Sequence, residues 1–439
     1  MANYLPSTPA ERQEMLQEMG YADMQALLQS VPAEVRLERP LNLPHGQSEL
    51  QVTRTLERLA ACNTRFDKVF RGAGAYRHFI PAVVRHVAGK EEFVTAYTPY
   101  QAELSQGVLQ SIYEYQTMIC ELTGMDVSNA SVYDGATAAA EAVMMCVDRR
   151  RTRVLVSAGV HPQTLEVVRT YCAPHGLTVE ETPLRDGVTD VEALAQRLDE
   201  TTACVLTQQP NYLGNLEDCD ALAAAIHASK AKFILSCNPT ALGMLRTPGE
   251  CGADIAVGDG QPLGLPLSYG GPYLGYMACK APLMRKLPGR IVGQTQDEAG
   301  KRAFVLTLQA REQHIRREKA SSSICSNQAL CALTAAVYLA ALGPEGLREV
   351  AEQCRAKAAY CAEQLRQAGF EPVYDGPFFH EFVTTCPVEA DVLLERLEQH
   401  GILGGLPLPD GNLLWCVTEV LSRADIDEMA AICKEVAQV

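Results

Sequence analysis

Short apolar runs alternate with longer amphipathic stretches through the middle of the chain. Five runs have the composition of buried strands: residues 153–157, 203–207, 233–237, 255–257 and 274–279. Three stretches between them have helical patterns: residues 163–172, 191–199 and 216–229. Strands that alternate with helices of about ten residues form βαβ units. The pattern therefore predicts an α/β domain with a mostly parallel sheet covered by helices.

The two ends of the chain have different patterns. Near the amino terminus, Thr8 and Glu11 form a capping box around Pro9, and residues 32–45 contain three prolines and extended character. After residue 327 a long helix interrupted at Gly343 precedes two strands, a helix and a closing helix that starts at Ser422. We therefore expect an arm at 1–64, a large α/β domain at 65–330 and a small α+β domain at 331–439.

Composition excludes several classes of protein. The 439 residues carry 38 Lys+Arg against 53 Asp+Glu, a net charge of −15, which disfavours nucleic acid and anionic membranes as partners. The longest apolar stretch is broken by Gly343 and Pro344, so no membrane span is predicted. The sixteen cysteines are scattered without a CxxC pair, which favours reduced thiols. With no basic and apolar leader pattern, the expected location is the cytoplasm.

Four segments are candidates for chemistry. Residues 133–141 (YDGATAAAE) resemble a turn into a helix whose N–H groups bind a phosphate, or a tight turn that permits close packing. Residues 97–107 (YTPYQAELSQG) crowd phenols, amides and a carboxylate before a helix, as a functional loop or an interface strap. Residues 258–275 are dense in turn formers. Residues 311–319 carry four basic groups on a solvated helix face or at a site for an acidic partner. No metal-ligand spacing is found, so no metal is predicted.

These motifs, taken in order, resemble one known family. Residues 71–76, 97–107, 114–116, 121–125 and 133–140, followed by 258–275, 288–293 and 307–328, are similar to the subunit 1 chains of glycine dehydrogenase (decarboxylating), the P-protein of the glycine cleavage system. The resemblance covers essentially the whole chain. It implies a large domain of the fold-type I class of pyridoxal-phosphate (PLP) enzymes and a small C-terminal domain.

The resemblance also implies an activity and partners. The family decarboxylates glycine and transfers the aminomethyl group to the lipoyl arm of the H-protein. In the split bacterial form, a chain of this type pairs with a second, PLP-bearing subunit in a heterotetramer with two copies of each chain.

Two residues that PLP chemistry requires are missing from their expected positions. The cofactor needs a lysine amine for its Schiff base and a carboxylate near the pyridine nitrogen. The family pattern puts Gln261 where the sister chains have the lysine, and the end of the 233–237 strand, where the aspartate is expected, reads Ser236-Cys237-Asn238-Pro239. Lys280 is the nearest alternative, after the following strand. We therefore expect no bound cofactor in this chain.

The expected contribution of this chain is to the partner's pocket. The candidate residues are Tyr97, Tyr100 and Gln101, as groups that donate hydrogen bonds or move protons. Two alternatives remain open from the sequence. One is a self-sufficient PLP-dependent amino-acid decarboxylase that uses another lysine, and the other is a scaffold that only stabilises its partner.

Overall fold

The computed structural model describes residues 6–96 and 100–438. The chain divides into two compact units, Met1–Thr64 and Arg65–Val439. In the first unit the three helices are α1 (Pro9–Glu18), α2 (Met24–Leu28) and α3 (Glu49–Ala60). The capping box predicted at Thr8 and Glu11 is confirmed, since each side chain bonds the other residue's backbone N–H.

The second unit contains the rest of the secondary structure. Its helices are α4 (Ala82–Ala88), α5 (Glu91–Val94), α6 (Gln106–Thr123), α7 (Gly135–Cys146), α8 (Pro162–Cys172), α9 (Val191–Arg197), α10 (Cys219–Ala228), α11 (Gln313–Arg316), α12 (Ala329–Gln367), α13 (Ala390–Gln399) and α14 (Arg423–Ala437). Its strands are β1 (Lys68–Val69), β2 (Val127–Ser128), β3 (Arg153–Ser157), β4 (Thr178–Thr182), β5 (Leu184–Arg185), β6 (Val188–Thr189), β7 (Thr202–Gln209), β8 (Lys232–Cys237), β9 (Ile255–Asp259), β10 (Gly275–Cys279), β11 (Ile291–Gln296), β12 (Arg302–Thr307), β13 (Glu381–Thr384), β14 (Ile402–Leu403), β15 (Leu406–Pro407) and β16 (Leu413–Cys416).

The central sheet has seven strands in the order β2-β10-β9-β8-β7-β3-β4. The five strands from β9 to β4 are parallel, and β10 runs antiparallel to both of its neighbours. The predicted α/β fold with a mostly parallel sheet is confirmed. All five predicted strands are present, each within one or two residues of its expected ends.

Both faces of the sheet are buried. Along β3, Leu155 points into one apolar cluster, whereas Val154 and Val156 point into the other. Successive side chains of a strand point to opposite faces, so each strand must be apolar on both sides to serve two helix layers. This double burial explains why these strands are continuous apolar runs in the sequence.

A smaller sheet, β13-β16-β15, lies in the C-terminal part with α13, α14 and the end of α12. Trp415 of β16 is fully buried there, and its Nε1 donates to Thr384 Oγ1 at 2.9 Å. The short strand β1 pairs in parallel with β14, and Phe70 joins the same apolar cluster. The chain just after residue 65 therefore packs with the C-terminal segment.

Helix α12 is long and apolar enough by composition to cross a membrane, yet here it is a helix of the core. Its first half packs through Ala335 and Tyr338 against the central sheet, and its second half packs through Cys361 and Leu365 against the small sheet. Gly343 has a φ of +65° directly before Pro344, so the helix is interrupted where the sequence predicts a break.

Candidate functional site

A cavity of about 630 Å³ lies at the carboxyl ends of the parallel strands. Its walls include His161 after β3, Gln208 in β7, Asn238 after β8, Asp259 at the end of β9 and Gly135 at the start of α7. Open α/β sheets bind their ligands at this edge. The lining residues, all within the described part of the chain, include no lysine or arginine.

Two carboxylates, those of Asp134 and Asp259, accept hydrogen bonds from the backbone of the turn at Gly135. Asp134 caps α7 and accepts a hydrogen bond from the Thr137 N–H at 2.7 Å. Asp259 Oδ2 accepts one from the Gly135 N–H at 3.0 Å, and its Oδ1 accepts one from the Gln261 N–H at 2.8 Å. A Cβ at Gly135 would stand 2.7 Å from the Asp259 nitrogen, so glycine permits this close approach. Burial raises the pKa of Asp259 to about 6, against the opposing effect of these backbone donors.

Gln261 is buried beside the cavity, and it is not among the wall residues. Its Oε1 accepts from the Tyr76 N–H at 2.8 Å, and its Nε2 donates to the carbonyls of Tyr76 and Leu265 at 2.8 and 2.9 Å. The neighbouring Pro262 faces the cavity instead. The side chain of Gln261 thus fixes the loop around Tyr76, and neither Gln261 nor Pro262 carries an amine.

Asn238 directly follows β8, at the strand end where a PLP-binding chain of this family is expected to carry a carboxylate. Its Oδ1 accepts a hydrogen bond from the Thr240 N–H at 2.9 Å, and its Nδ2 lies 3.2 Å from His380 Nε2. Lys280 lies elsewhere, with its Nζ donating to the Gly124 carbonyl at 3.1 Å. The side chains of Asn238 and Lys280 therefore both make contacts within this chain, and these contacts are far from each other.

A buried glutamate holds the loop at residues 72–76, which forms part of the cavity wall. Glu381 Oε1 accepts from the Ala73 N–H at 2.6 Å, and its Oε2 accepts from the Tyr76 hydroxyl at 2.7 Å. Burial raises the pKa of Glu381 to about 7 although both hydrogen bonds oppose the rise. His161 Nε2 lies 2.9 Å from the Ala73 carbonyl and fixes the other side of the loop. His161 therefore has a clear structural role here.

The structure brings two sequence-predicted segments together around Arg290. The Arg290 guanidinium lies 4.8 Å from the centre of the Tyr100 ring and forms an ion pair with Glu312. The Tyr100 hydroxyl donates to Asn327 Oδ1 at 3.1 Å. Burial raises the pKa of Tyr100, and the charge of Arg290 opposes the rise. The phenol therefore stays protonated at neutral pH and remains a hydrogen-bond donor.

This cluster has polar atoms that the described residues leave without a partner. They are Arg290 Nε, Arg311 Nε, Glu312 Oε1 and Asn327 Nδ2. In the run 311–319, Glu312 is buried while residues 313–319 are exposed, and the helix α11 spans only four residues. Arg311 is tied to the Gly289 carbonyl at 2.6 Å. We name Tyr100, Arg290, Glu312 and Asn327 the tyrosine–arginine cluster.

The three candidate residues do not share one environment. Tyr100 belongs to the tyrosine–arginine cluster, whereas Gln101 is exposed at the edge of a separate hollow of about 600 Å³ beside Phe93 and Leu104. Tyr97 lies outside the described residues. Sequence reasoning missed Arg290 and Asp259 as single residues, although both stand inside the quoted motifs 288–293 and 258–275. Glu381 had no sequence signal, since its contacts are all distant along the chain.

One His–Cys–Glu trio has its ligand atoms within 4.8 Å of one another: His78, Cys354 and Glu419. His78 Nδ1 and Glu419 Oε2 are 2.7 Å apart, the distance of a hydrogen bond. Two ligands of one tetrahedral zinc ion stand more than about 3 Å apart. The trio in this geometry is a hydrogen-bonded pair with an adjacent thiol.

Comparison with known proteins gives consistent matches along the whole chain. The model of the family described as glycine cleavage system P-protein matches residues 2–433. A protein of Moorella thermoacetica named probable glycine dehydrogenase (decarboxylating) subunit 1 is 52% identical over 436 residues, covering 98% of each chain.

Two solved structures add to these matches. A crystal structure of glycine decarboxylase (P-protein) of the glycine cleavage system, in inhibitor-bound form, superposes with a TM-score of 0.91 at 44% identity, covering 99% of this chain and 100% of that one. Mouse CSAD has a TM-score of 0.70 at 16% identity, covering 98% of this chain and 92% of that one, a likeness of fold alone.

Proposed function

The chain belongs to the glycine cleavage system P-protein family, among the subunit 1 chains of glycine dehydrogenase (decarboxylating), and we propose that it completes the active site of a second, PLP-bearing subunit. Its fold is that of the fold-type I PLP enzymes. It is a non-identical subunit of a heteromeric enzyme, as the name subunit 1 implies for its relatives.

The assignment of the cofactor to the partner subunit rests on this chain's own cavity. The described wall residues carry no lysine, and the amides of Asn238 and Gln261 stand at the positions where the family pattern expects the two reactive groups. An amide nitrogen is not a nucleophile and cannot bind the aldehyde of PLP. The residues present therefore do not fit the cofactor, and we derive no chemical step in this cavity.

The resemblance to the family supports the remaining partners of this proposal. We place two copies of this chain with two copies of the PLP-bearing subunit, with glycine as substrate and the lipoyl arm of the H-protein as acceptor of the aminomethyl group. The acidic charge and the scattered cysteines support a cytoplasmic location without nucleic acid or membrane.

The observation that carries the proposed site contribution is the tyrosine–arginine cluster. A protonated phenol is held in place by Arg290 and Asn327, and buried polar atoms beside it have no partner among the described residues. In native assemblies, buried polar groups normally have a hydrogen-bond partner. The segment with Tyr97, Tyr100 and Gln101 therefore fits a region that rearranges when a partner subunit covers it, where the Tyr100 hydroxyl turns away from Asn327 and donates to substrate or to a partner group.

Two rivals make different predictions. A self-sufficient PLP enzyme requires a lysine in reach of the cavity, and the described wall residues offer none. A pure scaffold requires that substitutions in residues 97–107 change assembly and never the rate of the assembled complex.

Gln101 separates the scaffold from the contributing subunit. Gln101→Ala removes an exposed amide, and we expect it to lower the turnover of the assembled two-subunit complex about tenfold with no change in the subunit affinity. Glycine decarboxylation by complexes isolated by size-exclusion chromatography gives the rate per complex. Gln367→Ala, at the exposed end of α12, is the matched control and keeps the wild-type rate. A Gln101 variant that weakens assembly alone would support the scaffold.

A further inference from the structure

We infer that Asp259 is a built-in replacement for the phosphate group of a ligand, which seals the cavity of this chain against phosphate-bearing molecules. The start of α7 is the natural place for such a group, because the first N–H groups of a helix have no partner within it and this helix start faces a cavity at the carboxyl edge of a parallel sheet. The inference concerns this chain's cavity and does not depend on which residues reach the partner's site.

Two of the donors of that turn, the N–H groups of Gly135 and Thr137, are already in use. Gly135 N–H donates to Asp259 at 3.0 Å, and Thr137 N–H donates to Asp134 at 2.7 Å. A phosphate that accepts from the Gly135 or Thr137 N–H would have to displace one of these carboxylates. The turn therefore resembles an anion site whose anion is a side chain of the protein.

The position of Asp259 is set by the backbone as well as by its charge. Its Oδ1 accepts from the Gln261 N–H at 2.8 Å, so the carboxylate is held between the end of β9 and the start of α7. Gly135 leaves no side chain between them, since a Cβ there would contact Asp259 Cβ at 2.9 Å. The absence of a side chain at Gly135 thus lets the Asp259 carboxylate reach the first N–H of α7.

The electrostatics of the cavity favour exclusion of a phosphate. Asp134 and Asp259 both face it, and the described wall residues contain no lysine or arginine to offset their charge. Burial raises the pKa of Asp259 to about 6, so it is mainly ionised at neutral pH and repels a second anion. Sites that take phosphates usually supply an arginine or lysine in addition to helix N–H groups.

The test uses the purified full chain with inorganic phosphate as the probe. Melting temperature is measured by calorimetry with phosphate and with chloride at equal ionic strength, for wild type, Asp259→Ala, Asp259→Asn and the exposed control Asp391→Asn. Wild type and the control should show only the general, non-saturating stabilisation that phosphate gives by exclusion from the protein surface. Asp259→Ala should melt about 2 °C above that general effect in phosphate at roughly twenty times its dissociation constant.

Asp259→Asn keeps the shape of the side chain, and it replaces the alanine variant in the melting test if that variant does not fold. It should shift in the same direction by a smaller amount, because the amide still fills the turn. A melting shift in the wild type that saturates at low millimolar phosphate, as site binding does, would overturn the inference, since the site would then be open. A folded Asp259 variant without any shift above the general effect would also overturn it. Neither of these two results tests whether the partner subunit binds PLP. Borohydride labelling, followed by identification of the labelled lysine, tests that separately.

Discussion

Tyr100→Phe should lower the turnover of the reconstituted two-subunit enzyme about a hundredfold, the size expected for loss of a positioned proton donor. The substitution keeps the ring against Arg290 and removes only the hydroxyl that donates to Asn327. Because the fold of the segment is retained, the loss should fall on kcat more than on the KM for glycine. Steady-state glycine decarboxylation by the isolated complex measures both.

Two further variants make this result interpretable. Tyr360→Phe removes a hydroxyl that bonds Asp427 on α14, outside the tyrosine–arginine cluster, and should keep the wild-type rate. Tyr97→Phe tests the neighbouring phenol of the same segment. If Tyr97→Phe and Tyr100→Phe both leave turnover unchanged, this segment has no part in the chemistry and the proposed site contribution is wrong.

Glu381→Gln should change the pH dependence of stability by about 3 kcal/mol. The folded chain keeps a proton on Glu381 up to about pH 7, whereas its ordinary pKa is 4.5. Between these values the folded state binds more protons than the unfolded state, so the free energy of unfolding falls as the pH rises. Below pH 4.5 both states are protonated and above pH 7 both are ionised, which confines the effect to this window.

Denaturant unfolding of the full chain at a series of pH values tests this prediction. Gln keeps an acceptor for the Ala73 N–H without the charge, so the variant should gain on the wild type steadily through the window. Asp259 and Glu141 also have raised pKa values, but they act equally in both proteins and cancel in the difference. Glu371→Gln, at an exposed position, should follow the wild type. A constant difference between Glu381→Gln and wild type would contradict the account.

The helices and strands of this fold could be predicted where interactions between residues close in sequence determine them. Strand β3 begins and ends where predicted because both of its faces are buried and its apolar run is continuous. The helix starts at Pro9 and Arg423 were predicted from their capping residues, which satisfy the first N–H groups regardless of the distant chain. The family resemblance added the fold-type I architecture, which the comparisons support.

The site could be predicted only in part because its geometry depends on distant contacts. The sequence drew attention to Tyr100, but its partner Arg290 lies in another motif and reaches it only in the folded chain. The run at 311–319 has the charge pattern of a solvated helix, yet Glu312 pairs with Arg290 in the interior. Asp259 appeared as a turn residue, and its meaning depends on Gly135 across the sheet edge.

Borohydride reduction of the copurified two-subunit complex is the most direct test of the central claim, that this chain carries no cofactor and serves a PLP-bearing partner. Reduction fixes PLP to the lysine that binds it, and mass spectrometry of the digested complex locates that lysine. The account predicts label on the partner subunit alone. Label on this chain, at Lys280 or at any other of its lysines, would contradict the account and make the chain a PLP enzyme in its own right.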